Sequence, residues 1–155
     1  MDHAHTPRGR DLTALAVTAT LHCLTGCAIG EVLGMVLATA LGLANLTSVL
    51  LSIALAFLFG YGLTMVPMLR SGLTLRAALA VALAADTVSI AVMELVDNAF
   101  IVAVPGALDA GLADLLFWAS LVASLVVAFA VTVPVNRLLI ARGKGHAVVH
   151  GQHTA

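Results

Sequence analysis

Four long apolar stretches dominate this sequence of 155 residues. A helix needs about 20 residues to cross the roughly 30 Å hydrocarbon core of a bilayer, and each stretch is longer than that. Only 10% of the residues are charged and the mean hydropathy is +1.10, whereas about a quarter of the residues of a soluble domain are charged. The sequence therefore predicts an all-α integral membrane four-helix bundle made of two hairpins. We place the spans at about residues 12–43, 46–69, 75–104 and 112–140, between a tail over 1–11 and a histidine-containing tail over 141–155.

The basic residues indicate the orientation of this bundle. All seven lie at one end of the four-span arrangement, and the two connections at the other end contain no lysine or arginine. Because basic residues concentrate on the cytoplasmic side, we expect both termini and the second-to-third connection in the cytoplasm. Six arginines against one lysine, in a sequence rich in alanine, leucine, valine and glycine, indicate a bacterial chain and therefore the inner membrane. Residues 24–27 resemble a lipobox, but the apolar residues continue beyond Cys27, so we expect no cleavage there.

The connections contain helix-ending and helix-starting signals. Gly72 is placed to end the second helix, and Thr74 is placed to cap the third. Pro105 and Gly106 interrupt the third span, after which Asp109 is the residue that we expect to cap the fourth helix.

One side of the first span carries sulfur and carboxylate side chains. Cys23, Cys27, Glu31 and Met35 recur at every fourth position. On an α-helix this spacing drifts by only about 40° per step, so the four side chains form one slanted stripe. A thiol, a carboxylate and a thioether on one face indicate a cation site within the membrane.

A second stripe, beside the first, contains only glycine. Gly26, Gly30 and Gly34 repeat the small-xxx-small pattern that allows two helices to approach closely. We assign these glycines to helix packing. Because the chain is small and has this glycine-rich face, we also expect a homo-oligomer.

The third span has one polar and one apolar face. Its polar side chains fall within about 140° on a helical wheel, and the apolar side is suited to lipid. We therefore expect the polar face to point into the bundle. Its residues are Asp86, Ser89, Met93, Glu94 and Asp97, with Asn98 just beyond them.

Four carboxylates lie well inside the predicted spans, and no lysine or arginine lies deep enough to pair with them. They belong to Glu31, Asp86, Glu94 and Asp97. An ionised side chain near the bilayer centre costs about 2.5–3.5 kcal/mol on insertion scales. Carboxylates close together must therefore hold protons or be neutralised by a cation. The first and third spans run in the same direction, which places Glu31 level with Met93 and Glu94. In the competing interpretation, Glu94 and Asp97 simply contact water at the outer interface.

These observations define a candidate metal site. Cysteine and methionine favour soft Cu(I), whereas carboxylates favour harder ions such as Mn²⁺ or Fe²⁺. We take copper first and leave iron, manganese and zinc open. The candidate ligands are Cys23, Cys27, Glu31, Met35, Asp86, Met93, Glu94 and Asp97, with His22, His146, His150 and His153 as further candidates.

Packing is the competing interpretation for several of these side chains. Buried cysteine behaves as a small apolar residue, and methionine often fills gaps in a core. His22 lies about 100° around the helix from Cys23, so it could instead bond a neighbouring helix. Short histidine-rich tails are weakly specific for metal.

The functional hypothesis is a transporter or membrane-embedded carrier of a transition-metal cation. One alternative is an accessory subunit whose acids pair with a basic residue of a larger membrane complex. Another is a proton-coupled exporter, in which protonation of Glu31 and Asp86 alternates with substrate binding. No nucleotide-binding or hydrolase motif occurs in the sequence, so we assign no catalytic residue and expect no nucleic-acid partner.

Three motifs resemble those of a family of small four-span bacterial membrane proteins that is catalogued only as a domain of unknown function. The resemblance implies a compact helical membrane domain over about residues 12–137 and brings no functional assignment. The motifs are His22-Cys23-x3-Cys27-x2-Gly30-Glu31, Asp86-x2-Ser89-x4-Glu94-x2-Asp97-Asn98 and Pro134-x-Asn136-Arg137.

Overall fold

The computed structural model describes residues 9–142, which form an all-helical bundle. Four of its helices are long and apolar enough to cross a membrane. The protein is therefore a multi-pass membrane protein, and the predicted fold class is confirmed. Each helix begins and ends within about three residues of the span predicted from the sequence. The long helices are α1 (Gly9–Leu41), α2 (Asn45–Arg70), α3 (Leu75–Ala103) and α4 (Leu115–Ala141), and a short 3₁₀ turn (Ala107–Asp109) precedes α4.

Successive helices are antiparallel, which gives the bundle two chemically different ends. One end, which we call the arginine end, holds the start of α1, the α2–α3 turn and the end of α4. Its exposed basic residues are Arg10, Arg70, Arg76, Arg137 and Arg142. The opposite end holds the α1–α2 turn and the α3–α4 connection, which are joined by a 2.7 Å hydrogen bond from Asn45 Nδ2 to Asp109 Oδ1.

The turns follow the sequence signals with one exception. Gly72, at φ 95°, follows α2, and the hydroxyl oxygen of Thr74 accepts the Ala77 N–H at the start of α3, as expected. Asp109 does not cap α4, so that prediction is wrong. The 3₁₀ turn after Gly106 takes up Asp109, and α4 starts only after Asp114, whose carboxylate accepts the Gly111 N–H at 2.7 Å.

Helices α1 and α2 pack backbone to backbone along the glycine stripe. A Cβ atom added to Gly26 would lie 2.7 Å from the Cα of Gly60, and one added to Gly34 would lie 2.6 Å from the Cα of Ser52. An added Cβ on Gly30 would overlap the backbone of Ala56 between them. The stripe is therefore filled by a helix of the same chain, and it no longer supports the expected homo-oligomer.

The polar face of α3 points inward and its apolar face points outward. Asp86, Glu94 and Asp97 are each at most 4% exposed, whereas Leu95 is 72% exposed. Large apolar side chains also cover the outer faces of the other helices, for example Leu115 on α4. This pattern is the one that a lipid solvent requires, because polar side chains on the lipid face lack partners.

The contact between α1 and α2 can be tested at Gly30. We expect Gly30→Ala to destabilise the folded protein by about 1–3 kcal/mol or more, because the added methyl group meets backbone that has no rotamer by which to move away. The measurement is the unfolding midpoint in a denaturing-detergent titration of the purified protein.

The matched control is Gly62→Ala, in the middle of α2. An added Cβ at Gly62 has no heavy atom within 4 Å, and alanine is favoured over glycine in a helix by about 1 kcal/mol. Equal midpoints for Gly30→Ala and Gly62→Ala would contradict the close contact.

Candidate functional site

The polar residues of α3 belong to two groups at different depths. The group nearer the opposite end, which we call the acid cluster, consists of Glu31 from α1 with Glu94 and Asp97 from α3. The group nearer the arginine end centres on Asp86. Along α3, Asp86 and Glu94 are eight residues apart, which corresponds to about 12 Å.

The acid cluster forms because α1 and α3 run in the same direction. Their polar faces therefore meet at the same depth in the bundle. Glu31 lies beside both Glu94 and Asp97, and the thiol of Cys27 lies beside Glu94. The three carboxyl-bearing residues are between 3% and 8% exposed. This is a concentration of buried acidic groups without an adjacent basic side chain, since every lysine or arginine in the described residues is exposed at the arginine end.

Much of the hydrogen-bonding capacity of the acid cluster is unused. Within the described part of the chain, both carboxylate oxygens of Glu31 lack a hydrogen-bond partner, as do Oε1 of Glu94 and Oδ1 of Asp97. Asn98 Nδ2 donates to the Glu94 backbone carbonyl at 2.8 Å and makes a longer bond of 3.4 Å to Glu94 Oε2. Buried polar atoms normally have partners, so these oxygens point to a guest that supplies positive charge or a proton.

A cavity of about 240 Å³ leads from the acid cluster to the opposite end of the bundle. Glu31, Asp97 and Asn98 line its inner part, and residues 42–45 and 107–111 include those that line its outer part. Phe117 and Leu121 form an apolar wall. The lining residues Gly42, Asn45 and Asp109 are exposed, so the cavity reaches the surface residues of that end.

Between the acid cluster and the arginine end, the centre of the bundle is apolar. This core is formed by buried Cys23, Cys27, Ala56, Ile90, Met93 and Ala128. Cys23 and Cys27 are free thiols. Of the sulfur side chains in the candidate metal site, Cys27 is the one beside a carboxylate of the acid cluster, whereas Met93 packs within the core. Met35 packs near Phe117 and Leu121 and lines the cavity.

Asp86 takes part in a chain of hydrogen bonds that links three helices. The Thr64 hydroxyl from α2 donates to Asp86 Oδ2 at 2.5 Å, and His22 Nε2 from α1 lies 3.0 Å from the same hydroxyl oxygen. We call these three residues the His22 chain. Asp86 is 1% exposed and Thr64 is fully buried. His22 therefore bonds a neighbouring helix, which is the alternative to a ligand role that its position on α1 indicated.

A second set of buried bonds ties α4 into the bundle at a similar depth. The Ser89 hydroxyl donates to Asn136 Oδ1, and Asn136 Nδ2 donates to Thr20 Oγ1 at 2.8 Å. The Thr20 hydroxyl in turn donates to the carbonyl of Ala16 at 2.7 Å. Together with the His22 chain, these bonds join all four helices.

The sequence analysis did not single out Thr64 and Thr20 as members of these networks. A usable signal for Thr64 was present in α2, where Ser52, Ala56, Gly60 and Thr64 recur at every fourth position and match the stripe on α1. For Thr20 there was no comparable signal, because threonine in a membrane helix commonly bonds its own backbone.

The candidate metal ligands are thus divided between the acid cluster, the apolar core and the His22 chain. Within residues 9–142, no group of three or more His, Cys, Asp and Glu side chains is arranged to hold a metal ion. His146, His150 and His153 lie outside the described residues. Glu31 and Asp97 can present their two carboxylates to a cation or to protons in the cavity.

Comparison with known proteins gives a family and no activity. Residues 14–145 match the family model described as "Domain of unknown function (DUF4396)". No curated protein and no solved structure matches the chain. The matched region covers all of α2, α3 and α4, α1 from residue 14 onwards, and most of the chain. The chain therefore belongs to this family of proteins of unknown function, as the resemblance of its motifs predicted.

Proposed function

We propose that this protein is a cation-binding membrane protein that acts as a transporter or membrane-embedded carrier, with the acid cluster as its binding site. The observation that supports this most directly is the set of unpartnered carboxylate oxygens on Glu31, Glu94 and Asp97. Two of these residues, Glu31 and Asp97, line a cavity that reaches the surface of the opposite end.

The donor atoms at the base of the cavity favour a hard cation. Carboxylate and amide oxygens suit ions such as Mn²⁺ or Fe²⁺, whereas Cu(I) prefers sulfur. Cys23, Cys27 and Met93 are packed in the apolar core, where the Cys27 thiol lies beside Glu94, and Met35 lines the cavity. We therefore place Mn²⁺ or Fe²⁺ before copper. A small hard divalent cation such as Mg²⁺ keeps several waters and is bound by one or two carboxylates, so the two cavity-lining carboxylates can suffice as protein ligands.

The proton-coupled exporter is the second candidate, and one observation favours it. Unpartnered buried carboxyl groups that sit side by side can hold protons as readily as a metal ion, and Glu31 has both oxygens available. A flux that depends on pH but not on metal would select this candidate over the first.

An accessory subunit that docks a larger complex is less well supported. Its acids would have to reach a basic residue of another protein across the outer surface. Glu31, Glu94 and Asp97 instead face the interior and are at most 8% exposed.

Homo-oligomer formation is still a prediction, and light scattering of the purified protein measures it.

We further propose that the arginine end faces the cytoplasm of a bacterial cell and that the cavity faces the outside of the inner membrane. Arg10, Arg70, Arg76, Arg137 and Arg142 support this orientation through the tendency of basic residues to stay on the cytoplasmic side. A cation would then enter the cavity from the periplasm.

Cation binding can be tested by removing one carboxylate at a time. We expect Glu31→Gln and Asp97→Asn each to weaken Mn²⁺ binding by about tenfold or more, equivalent to about 1.4 kcal/mol, and the double variant to abolish it. Isothermal titration calorimetry of the detergent-purified full chain measures the affinity. Uptake into proteoliposomes measures whether the bound ion crosses the membrane.

Two control variants sharpen this test. Asp114→Asn changes an exposed acid at the same end of the bundle and is expected to bind Mn²⁺ like the wild type. Cys27→Ser is expected to leave Mn²⁺ binding unchanged and to lower the affinity only for Cu(I). Wild-type affinity in both Glu31→Gln and Asp97→Asn would contradict the proposal.

The orientation can be tested with single introduced cysteines and a membrane-impermeant maleimide. We expect Ala113→Cys, at the exposed opposite end, to react in intact cells, and Ser71→Cys, at the arginine end, to react only after the membrane is opened. Native Cys23 and Cys27 are at most 2% exposed, so they give little background. The reverse labelling pattern would contradict the proposed orientation.

A further inference from the structure

The His22 chain contains two titratable side chains joined by one hydroxyl group. His22 is half-buried, whereas Thr64 and Asp86 are at most 1% exposed. The distances are 3.0 Å from His22 Nε2 to Thr64 Oγ1 and 2.5 Å from Thr64 Oγ1 to Asp86 Oδ2. No lysine or arginine occurs in α2 or α3 between Asn45 and Leu69 or between Ala77 and Ala103. His22 is therefore the basic side chain that is connected to Asp86.

The direction of the hydrogen bonds follows from the valence of the hydroxyl group. Thr64 has one hydroxyl hydrogen, which it donates to Asp86 Oδ2. Its oxygen can therefore only accept from His22, so His22 Nε2 carries a hydrogen in this arrangement. Each of the two bonds is oriented from the imidazole towards the carboxylate.

We infer that the His22 chain is a proton-binding site, in which a proton taken up by His22 is passed to Asp86 through the Thr64 hydroxyl. Uptake at the imidazole gives an imidazolium ion. Its Nε2 proton then moves to Thr64 Oγ1 while the Thr64 hydroxyl proton moves to Asp86 Oδ2. The products are a neutral imidazole, an intact hydroxyl group and a neutral carboxylic acid, so one proton is bound and none is lost.

Other polar side chains lie around His22 and Asp86. The Cys23 thiol from α1 also lies beside Asp86. Helix α4 presents the neutral amide of Asn136, which is bonded to Ser89 one turn away on α3. Between Asn45 and Leu69, α2 has no Asp, Glu, His, Lys or Arg, and its Tyr61 bonds Thr87 at 2.9 Å. On α4, Arg137 follows Asn136 and is exposed. A charged pair at this depth is expensive in lipid, which favours the neutral products.

This inference is independent of the proposed cation site. Ile90 and Met93 belong to the apolar core that separates the His22 chain from the acid cluster. The two sites can therefore be measured separately, and protonation of Asp86 can be followed without any metal. Should the acid cluster fail to bind a cation, the His22 chain would be unaffected.

Infrared difference spectroscopy of the full chain in lipid nanodiscs tests the inference. We expect a carboxylic acid carbonyl band that grows as the pH falls and that is lost in Asp86→Asn. In Thr64→Val, which keeps the shape of the side chain but removes the hydroxyl, the midpoint of this band should move by about one pH unit or more. His22→Asn should move it likewise.

Two further variants separate proton sharing from a structural role. Thr64→Ser keeps the hydroxyl and should restore the wild-type midpoint. Thr132→Val changes another fully buried threonine, whose hydroxyl lacks a partner among the described residues, and should leave the midpoint unchanged. A Thr64→Val protein that is less stable but keeps the wild-type midpoint would overturn the inference. A wild-type spectrum without a band that depends on Asp86 would also overturn it.

Discussion

The direct backbone contact between α1 and α2 is the constraint on which the rest of the bundle depends. Gly26, Gly30 and Gly34 leave no room for rotation of α1, because even one added methyl group at these positions would meet α2. One residue further along an α-helix is a rotation of about 100°. Fixing the glycine stripe against α2 therefore turns the neighbouring Cys27 and Glu31 towards α3, where Glu94 and Asp97 lie. The same pairing of α1 with α2, moved by four residues along each helix, brings His22 to Thr64.

The chain places polar groups in two layers, and the layers differ in how their polar atoms are satisfied. The layer nearer the arginine end contains hydrogen bonds that connect Asp86, Ser89 and Asn136 to neighbouring helices. Such bonds between membrane helices contribute about 0.6 kcal/mol each on average, so this layer helps to hold the helices together. The acid cluster instead has unpartnered carboxylate oxygens and contributes no comparable bonds. A bound cation or bound protons, as proposed above, would supply partners for these oxygens.

The sequence patterns predicted the helices, most of the turn signals and the inward face of α3, because these features depend on residues close together in the sequence. Length and hydropathy predict the spans, and spacing predicts that Asp86, Glu94 and Asp97 share a face. Helix rise also separates the level of Asp86 from that of Glu31 and Glu94. These patterns could not identify the hydrogen-bond partner that each acid meets. Thr64 lies 22 residues before Asp86 in the sequence, and only the packing of α2 on α3 brings them together. The prediction that Asp109 caps α4 failed because Asp109 lies in a 3₁₀ turn, and α4 begins only at Leu115.

The order of the layers makes the two ends of the bundle electrically distinct. A cation in the cavity meets carboxylates first and then the apolar core around Ile90 and Met93, where an unpaired charge has no compensating partner. A proton at the other end meets His22 first and then Asp86, on the far side of the same core. Passage of a charge through the whole bundle therefore requires the core to repack. Such repacking would also involve the seam of α1 and α2, because Ile90 packs against Gly60, the residue that faces Gly26.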